Sequence, residues 1–309
     1  MAARNRTIKT TIDEGQEYLG QCIQVTAPVE SVEQIRNKTI LGDTFAVLPF
    51  LPRKSVDLLI VDPPYNLTKR FHGNTFLKRD RREYEAYTRR WLQAVRPLLK
   101  DTASVYVCCD WESSLVVGPV LCEFFEPRKT ITWQREKGRG FRANWKYSMD
   151  DIWYATVGED FTFHLDAVKQ RKKVLASYRV EGTPRGWEEA GAGKYRDTCP
   201  SNCWDDITVP FWSMPENTGH PTQKPEKLYA KMMLASSNEG DLILDPFAGS
   251  GTAGVTAKKL NRNFIQIEMN EQYCIWAQQR LAMAESNPSI QGFEDGVFWE
   301  RNSGPVKRG

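Results

Sequence analysis

Residues 241–252 read Asp241-Leu-Ile-Leu-Asp245-Pro-Phe-Ala-Gly249-Ser250-Gly251-Thr252. The short apolar run predicts a buried strand and residues 252–260 predict a helix, so the glycines lie in the loop that joins the two. Small residues in such a loop let the backbone approach a ligand closely and leave the helix N-terminus free for an anionic group. This stretch therefore predicts a ligand site at the carboxyl end of a strand in an α/β sheet.

The next predicted strand, residues 263–267, ends in an acidic residue, Glu268. A carboxylate about twenty positions past a glycine loop suits the two hydroxyls of a ribose. A dinucleotide site would want a further glycine, and Gly254 stands at that position. However, nothing downstream resembles a hydride-transfer site. We therefore interpret the ligand as a single nucleoside with an amino-acid tail.

A second motif lies just upstream, at His220-Pro221-Thr222-Gln223-Lys224-Pro225, before a helical pattern. Pro225 suits the first turn of that helix, and Thr222 and Lys224 can meet a carboxylate near its N-terminus. The alternative interpretation is an ordinary capped helix with a solvated lysine.

A third motif, Asp62-Pro63-Pro64-Tyr65, follows the largely apolar run of residues 56–61. The Asp62 carboxylate and the rigidly held Pro63 carbonyl can each accept one N–H from the exocyclic amine of a nucleobase. Together they could draw its nitrogen toward a tetrahedral geometry. Tyr65 offers a flat face on which an extruded base can stack. The alternative is a strand that ends in a Pro-Pro turn, with the aspartate as a turn former.

Together, the three motifs resemble those of the DNA amino-methyltransferases that use S-adenosylmethionine. Their order is that of the beta group of the family, a circular permutation of the commoner arrangement, and the resemblance covers roughly residues 38–135 and 200–285. It implies α/β architecture in the Rossmann-like class I methyltransferase fold. This fold has a mainly parallel sheet flanked by helices, here with an inserted target-recognition region. It also implies S-adenosylmethionine as the cofactor, and the implied reaction requires no metal.

The resemblance assigns residues to both halves of the site. The catalytic group is Asp62, Pro63, Pro64 and Tyr65. Cofactor contacts are implied for Asp43, His220, Thr222, Gln223, Lys224, Asp245, Phe247, Ala248, Gly249, Ser250, Gly251, Thr252 and Glu268. Within this set, Glu268 is expected to bind the ribose and Asp43 the adenine amino group of the cofactor. Thr222 and Lys224 are expected to hold its methionine end.

The first motif also bears on the substrate. In this family an aspartate at position 62 is associated with adenine N6, whereas cytosine-N4 enzymes usually carry a serine. Methylation at cytosine carbon 5 needs a thiolate, typically in a Pro-Cys pair, and this chain has only the reverse order, Cys199-Pro200. We therefore expect a site-specific DNA adenine-N6 methyltransferase. A cytosine-N4 enzyme of the same fold and an RNA amino-methyltransferase are the alternatives. A catalytically silent DNA-binding subunit would be expected to lose the aspartate or the glycine loop.

Basic residues predict where double-stranded DNA binds. From Lys69 to Lys100 the chain has ten Lys or Arg against three acids. Contacts to DNA are expected from Lys69, Arg70, Lys78, Arg79, Arg81, Arg82, Arg139, Arg142 and Lys146. The alternative is a solvated surface loop. Family members are frequently dimers and often act beside a restriction endonuclease, so a homodimer and a cognate endonuclease are further partners that the resemblance raises.

We predict five segments along the chain. They are an N-terminal arm (1–37), a catalytic half (38–135), a target-recognition region (136–215), a cofactor-binding half (216–285) and a C-terminal tail (286–309). The middle region interleaves glycines, cations and aromatics, which suits phosphate and base contacts. The alternative is that its aromatic residues pack as an extra sheet layer.

Composition agrees with a cytoplasmic globular enzyme. The 309 residues carry a net charge of +3, with 40% hydrophobic and 26% charged residues, and no apolar run has the length of a membrane span. Seven cysteines, an odd number, suit reduced thiols. Cys199 and Cys203 lack two further ligands at zinc spacing, so we expect no metal site.

Overall fold

The computed structural model of the protein describes residues 5–71, 74–141, 143–174, 179–181, 183–184, 186–190 and 193–301. The α-helices are α1 Gln16–Leu19, α2 Thr44–Val47, α3 Arg81–Val95, α4 Trp111–Leu121, α5 Glu226–Ser236, α6 Thr252–Lys259 and α7 Glu271–Ser286. Short 3-10 helices span Val32–Gln34, Leu48–Phe50, Arg96–Leu98 and Leu165–Val168. The strands are β1 Lys38–Leu41, β2 Val56–Val61, β3 Lys69–Phe71, β4 Asn74–Phe76, β5 Leu99–Cys109, β6 Glu126–Phe141, β7 Asn144–Thr156, β8 Gln170–Lys173, β9 Arg179–Val180, β10 Thr183–Pro184, β11 Glu188–Ala190, β12 Gly193–Thr198, β13 Cys203–Trp204, β14 Leu242–Asp245, β15 Asn263–Glu268, β16 Phe293–Glu294 and β17 Val297–Trp299.

An eight-stranded sheet in the order β1-β15-β14-β2-β5-β7-β6-β13 forms the centre of the molecule. The first five strands in this spatial order, β1-β15-β14-β2-β5, pair in parallel, whereas β7 runs antiparallel to both β5 and β6. This confirms the predicted mainly parallel α/β sheet. Because β2 and β14 are neighbours, the motifs that follow them emerge side by side at the same edge of the sheet.

The central strands are buried on both faces, as expected of parallel strands covered by helices. Leu59 and Val61 of β2 join a core that includes Trp91 of α3, whereas Leu58 and Ile60 join the opposite core, which includes Met232 of α5. Helix α3 begins at Arg81 because Asp80 and Glu83 form a capping box. It gives way to a 3-10 turn that contains Pro97.

The boundary predicted at residue 136 falls inside β6 and needs correction. Strands β6 and β7 extend the central sheet, and their residues Ile131 and Ile152 are buried in its core. A separate five-stranded sheet in the order β11-β12-β8-β17-β16 forms the distinct layer of the middle region. The aromatic residues divide accordingly: Trp153 packs against the core, whereas Trp145 is 92% exposed.

Both terminal segments pack on the body. Ile8 of the arm forms a bridge with Thr218, and Ile23 forms one with Ile40 of β1. In the tail, β17 pairs in parallel with β8 and Phe298 is fully buried. Residues 302–309 of the predicted tail lie outside the described part of the chain. Among the described residues, no helix is long and apolar enough to cross a membrane.

Candidate active site

A cavity of about 460 Å³ lies at the carboxyl ends of β2, β14 and β15. The predicted catalytic and cofactor residues all line it except Asp245 and Gly251. The motif at residues 62–65 therefore meets the two motifs that begin more than 150 residues later in the chain, and all three line one pocket.

The Asp62 carboxylate has one oxygen occupied and one unpaired. Its Oδ2 accepts a hydrogen bond from Lys224 Nζ at 2.6 Å. Its Oδ1 is buried and has no hydrogen-bond partner among the described residues. A buried acceptor without a donor is costly and rare in folded proteins. This oxygen is thus suited to receive an N–H from a bound ligand.

The two prolines fix the turn that follows Asp62. The Pro64 carbonyl accepts from Tyr84 Oη at 3.2 Å, which ties the turn to α3. By contrast, no hydrogen bond within the described chain ends on the Pro63 carbonyl. Tyr65 is half-buried beside it, and burial raises the pKa of its phenol well above the ordinary value. The cavity therefore contains two unpaired acceptors next to an aromatic ring that stays neutral.

Lys224 contacts the catalytic turn directly. Its Nζ donates to Tyr65 Oη at 3.0 Å as well as to Asp62, and the side chain is 7% exposed. Burial alone would lower the pKa of this ammonium, but the Asp62 carboxylate raises it, and the net direction is upward. The lysine is therefore charged in the pocket. That contact was not predicted, since the sequence motif assigned Lys224 to the methionine end of the cofactor.

The glycine loop depends on two left-handed residues. Gly249 has φ 54° and Gly251 has φ 77°, a region that L side chains rarely adopt. A Cβ at Gly249 would stand 3.0 Å from His220 Nε2, and one at Gly251 would stand 2.6 Å from the Ala277 Cβ. The Cβ position of Gly251 faces α7, so a side chain there would not fit, and its contact with the cofactor stays a prediction.

Carboxylates anchor this loop. Glu268 accepts the Gly249 N–H at 2.8 Å and the Asn270 N–H at 2.8 Å, and burial raises its pKa to about 7. Both oxygens keep lone pairs for further donors. Asp245 accepts the Phe247 N–H at 3.0 Å, and burial raises its pKa to about 8. Asp245 is buried and supports the turn through this bond, and its predicted place in the cofactor site stays a prediction.

In the His-Pro-Thr-Gln-Lys-Pro motif the side chains have different tasks. The Gln223 amide accepts from Thr218 N at 2.9 Å and donates to the Glu216 carbonyl at 2.6 Å, so it holds the loop together. The His220 ring packs at 4.3 Å from the ring of Tyr273. Thr222 lines the cavity just before α5, which begins after Pro225 as predicted.

An aromatic wall on the outer side of the cavity was missed by the sequence analysis. Phe45 and Phe76 each lie 5.8 Å from Tyr87, ring centre to ring centre. The Arg79 guanidinium lies 4.4 Å from the centre of the Tyr87 ring, a cation–π contact in the pocket wall, and its contact with DNA stays a prediction. The rings come from three separate segments, and no local pattern connects them.

Two hydrogen bonds between Asn66 and Arg79 join the ends of the segment 67–78, and we call this pair of bonds the clasp. The Asn66 side chain donates to the Arg79 carbonyl at 3.0 Å and accepts the Arg79 N–H at 2.8 Å. The backbone N–H of Asn66 in turn donates to Ser113 Oγ at 3.1 Å. The base of this loop, whose residues Leu67 and Phe76 line the cavity, is thereby fixed to α4.

A second missed residue, Arg280 of α7, supports the glycine loop from below. It is 2% exposed and donates to the Ser250 carbonyl at 2.8 Å and to Thr252 Oγ1 at 3.0 Å. It also pairs with Glu226 at 3.0 Å. An arginine within a helix usually suggests a solvated face, so the sequence held no signal for this role.

The remaining predicted DNA contacts divide into two groups. Lys78 pairs with Glu112 at 2.6 Å, and Arg81, Arg82 and Lys146 are exposed. Arg142 and the side chains of Lys69, Arg70 and Arg139 lie outside the described residues.

Comparisons with known proteins agree with this geometry. A family model described as DNA methylase, which covers N6 and N4 enzymes, matches residues 56–279. The type II methyltransferase M.HpaI of Haemophilus parainfluenzae is 34% identical over 249 residues, 79% of this chain and 74% of that protein. The DNA adenine methyltransferase YhdJ of Escherichia coli K12 is 34% identical over 260 residues, 80% of this chain and 83% of that protein. The crystal structure of the M1.HpyAVI–SAM complex has a TM-score of 0.51 at 21% identity and covers 79% of this chain and 98% of its own; this likeness concerns the fold.

Proposed function

Since the chain belongs to the DNA methylase family, we propose that it is a site-specific DNA adenine-N6 methyltransferase that uses S-adenosylmethionine. One observation carries the proposal: Asp62 Oδ1 and the Pro63 carbonyl are both unpaired acceptors in the cavity that also contains Gly249 and Glu268. The two relatives named above, one of them described as an adenine methyltransferase, support it.

The residues present fit the cofactor. A cavity of about 460 Å³ is within the usual range for small-molecule sites. Glu268 retains acceptor capacity for a ribose diol, and the aromatic wall suits an adenine ring. Thr222 and the N-terminus of α5 suit a carboxylate. When bound, S-adenosylmethionine supplies an electrophilic methyl group on a sulfonium sulfur.

The chain's own groups act on the substrate amine. Asp62 and the Pro63 carbonyl accept the two amino hydrogens of an extruded adenine, which points the nitrogen lone pair away from both. The Tyr65 ring stacks on the base. Extrusion costs a few kcal/mol, which stacking and phosphate contacts offset. Positioning and fixed electrostatics carry the rate enhancement, without a covalent enzyme intermediate.

Cytosine N4 is the second candidate target, because the matched family covers both amines. The same two acceptors could hold either amino group, so the choice depends on the shape of the base pocket. Asp62 in place of serine favours adenine.

Incubation with plasmid DNA and cofactor, followed by mass analysis of the nucleosides, tests the proposal. We expect N6-methyladenine, formed at one sequence context by single-molecule sequencing, and no product from Asp62→Ala. Detection of N4-methylcytosine alone, or methyl transfer to RNA but not to duplex DNA, would contradict it.

We also propose double-stranded DNA as the form of the substrate and the cytoplasm as the location. A homodimer and a cognate restriction endonuclease complete the proposal, on the resemblance to type II methyltransferases. Mass measurement of the enzyme in solution tests the dimer.

A further inference from the structure

Lys224 bridges the two halves of the site. Its Nζ lies 2.6 Å from Asp62 Oδ2 and 3.0 Å from Tyr65 Oη, across 162 and 159 positions of the chain. Its carbonyl accepts from Thr252 Oγ1 at 3.0 Å, which fixes its backbone to the first turn of α6 beyond the glycine loop. Lys224 is thus held both at its backbone and at its ammonium, and the ammonium contacts the catalytic turn.

The titratable groups around this pair are mostly carboxyl groups and neutral side chains. They include Asp150 on β7 and Asp245 at the end of β14, together with the neutral Cys108 and Tyr229. Arg135 pairs with Asp150 at 3.5 Å. Among the described residues, Lys224 is the cation that donates to Asp62. Without it, the part-buried Asp62 carboxylate would lose both its cation and the donor to Oδ2, and a charge held away from water without a partner is costly.

We propose that Lys224 is a positioning residue that acts through Asp62: its ammonium pairs with the carboxylate and occupies Oδ2, so that Oδ1 is left to accept the amino hydrogen of the target base. The inference rests on the proposed function and deepens it. It differs from the role that the sequence motif implied, a contact to the methionine end of the cofactor. Thr222 and the N-terminus of α5 then remain to bind the methionine end of the cofactor.

The two roles separate in kinetics. If Lys224 acts through Asp62, its loss lowers kcat at saturating cofactor and leaves cofactor affinity nearly unchanged. If it holds the methionine carboxylate, its loss weakens cofactor binding and leaves kcat at saturating cofactor unchanged. Because the contact with Asp62 needs a positive charge and N–H donors, an arginine at position 224 should restore part of kcat, whereas a neutral side chain without a donor should not.

The test compares Lys224→Met with Lys224→Arg, which keeps the charge. Lys54→Met, which removes an exposed partner of Asp101, is the control. Methyl transfer to plasmid DNA is measured at saturating substrates, and the S-adenosylmethionine Kd by calorimetry. We expect Lys224→Met to lower kcat about 100-fold. Lys224→Arg should retain more of kcat than Lys224→Met, and all cofactor Kd values should stay close to wild type.

Weakened cofactor binding with kcat retained would overturn the proposal, as would an equal kcat in Lys224→Met and Lys224→Arg. If the methionine variant does not fold, Lys224→Gln serves for the same measurements, because it keeps an N–H donor for Asp62 without the charge. The wild-type enzyme is measured in the same series. Absence of methyl transfer by wild type would refute the proposed function itself, whereas an active wild type with a normal kcat in Lys224→Met refutes only the role of the lysine.

Discussion

At the residue scale, Gly249 shows how a single backbone conformation determines cofactor binding. Its φ is 54°, its N–H donates a hydrogen bond to Glu268, and a Cβ would stand 3.0 Å from His220 Nε2. An aspartate there would add a clash, backbone strain of about 1–3 kcal/mol and a negative charge beside Glu268. Gly249→Asp should therefore weaken S-adenosylmethionine binding by at least about 100-fold in calorimetry.

Gly240 offers a matched control for that substitution. It has the same left-handed backbone, with φ 82°, but no atom lies within 4 Å of its Cβ position. Gly240→Asp should cost some stability through strain and leave the cofactor Kd unchanged. Equal loss of affinity in both variants would mean that strain alone, and not the pocket contact, is responsible.

At the element scale, the loop of residues 67–78 depends on one side chain for its closure. The two bonds between the Asn66 amide and the Arg79 backbone fix both ends of the loop. Removing them leaves two part-buried backbone groups of Arg79 without these partners, at up to about 1–3 kcal/mol each. Asn66→Ala should open the loop, accelerate tryptic cleavage within it and raise the KM for the cofactor more than it lowers kcat.

Asn202→Ala is the control for the clasp, since Asn202 also donates to a backbone carbonyl, that of Thr130, at an exposed site. It should leave cleavage in the loop and both kinetic constants unchanged. Cleavage of Asn66→Ala at the wild-type rate would show that the loop is held by its aromatic contacts instead.

Element by element, the sequence predicts what local periodicity and capping determine. The sequence predicts strands β2 and β14 from their apolar runs and helix α6 after the glycine loop, and the motifs at the ends of these strands line the pocket. The aromatic wall of Phe45, Phe76 and Tyr87 was not predicted, because its members meet only through tertiary packing. Arg280 was missed for the same reason: its partners lie on other elements.

At the scale of the whole molecule, the meeting of the two motif-bearing halves follows from strand adjacency. Parallel strands β2 and β14 place their carboxyl ends together, and the chain order of the motifs does not matter to that result. The second sheet could not be predicted. Its strand β17 comes from the tail and pairs with β8, more than 120 positions earlier, and such long-range pairing leaves no local trace in sequence.

Buried carboxyl groups make the stability of the whole molecule depend on pH. Burial raises the pKa of Glu216 to about 7, of Asp245 to about 8 and of Glu268 to about 7, whereas in the unfolded chain such groups titrate near about 4. Between these values the folded state binds more protons than the unfolded state, so the free energy of unfolding falls as the pH rises. The melting temperature of the cofactor-free enzyme should drop by several degrees between about pH 5 and about pH 8.

Asp245→Asn isolates one contribution to this slope. The asparagine keeps an oxygen for the Phe247 N–H, which Asp245 accepts at 3.0 Å, and removes a titration. Its melting temperature should therefore fall less steeply with pH than that of the wild type, with the difference growing toward alkaline pH. A wild-type stability that rises across this range would mean that the three carboxyl groups lie in more solvated surroundings than their burial indicates. Parallel slopes in the two proteins would show that Asp245 is already ionised at acidic pH.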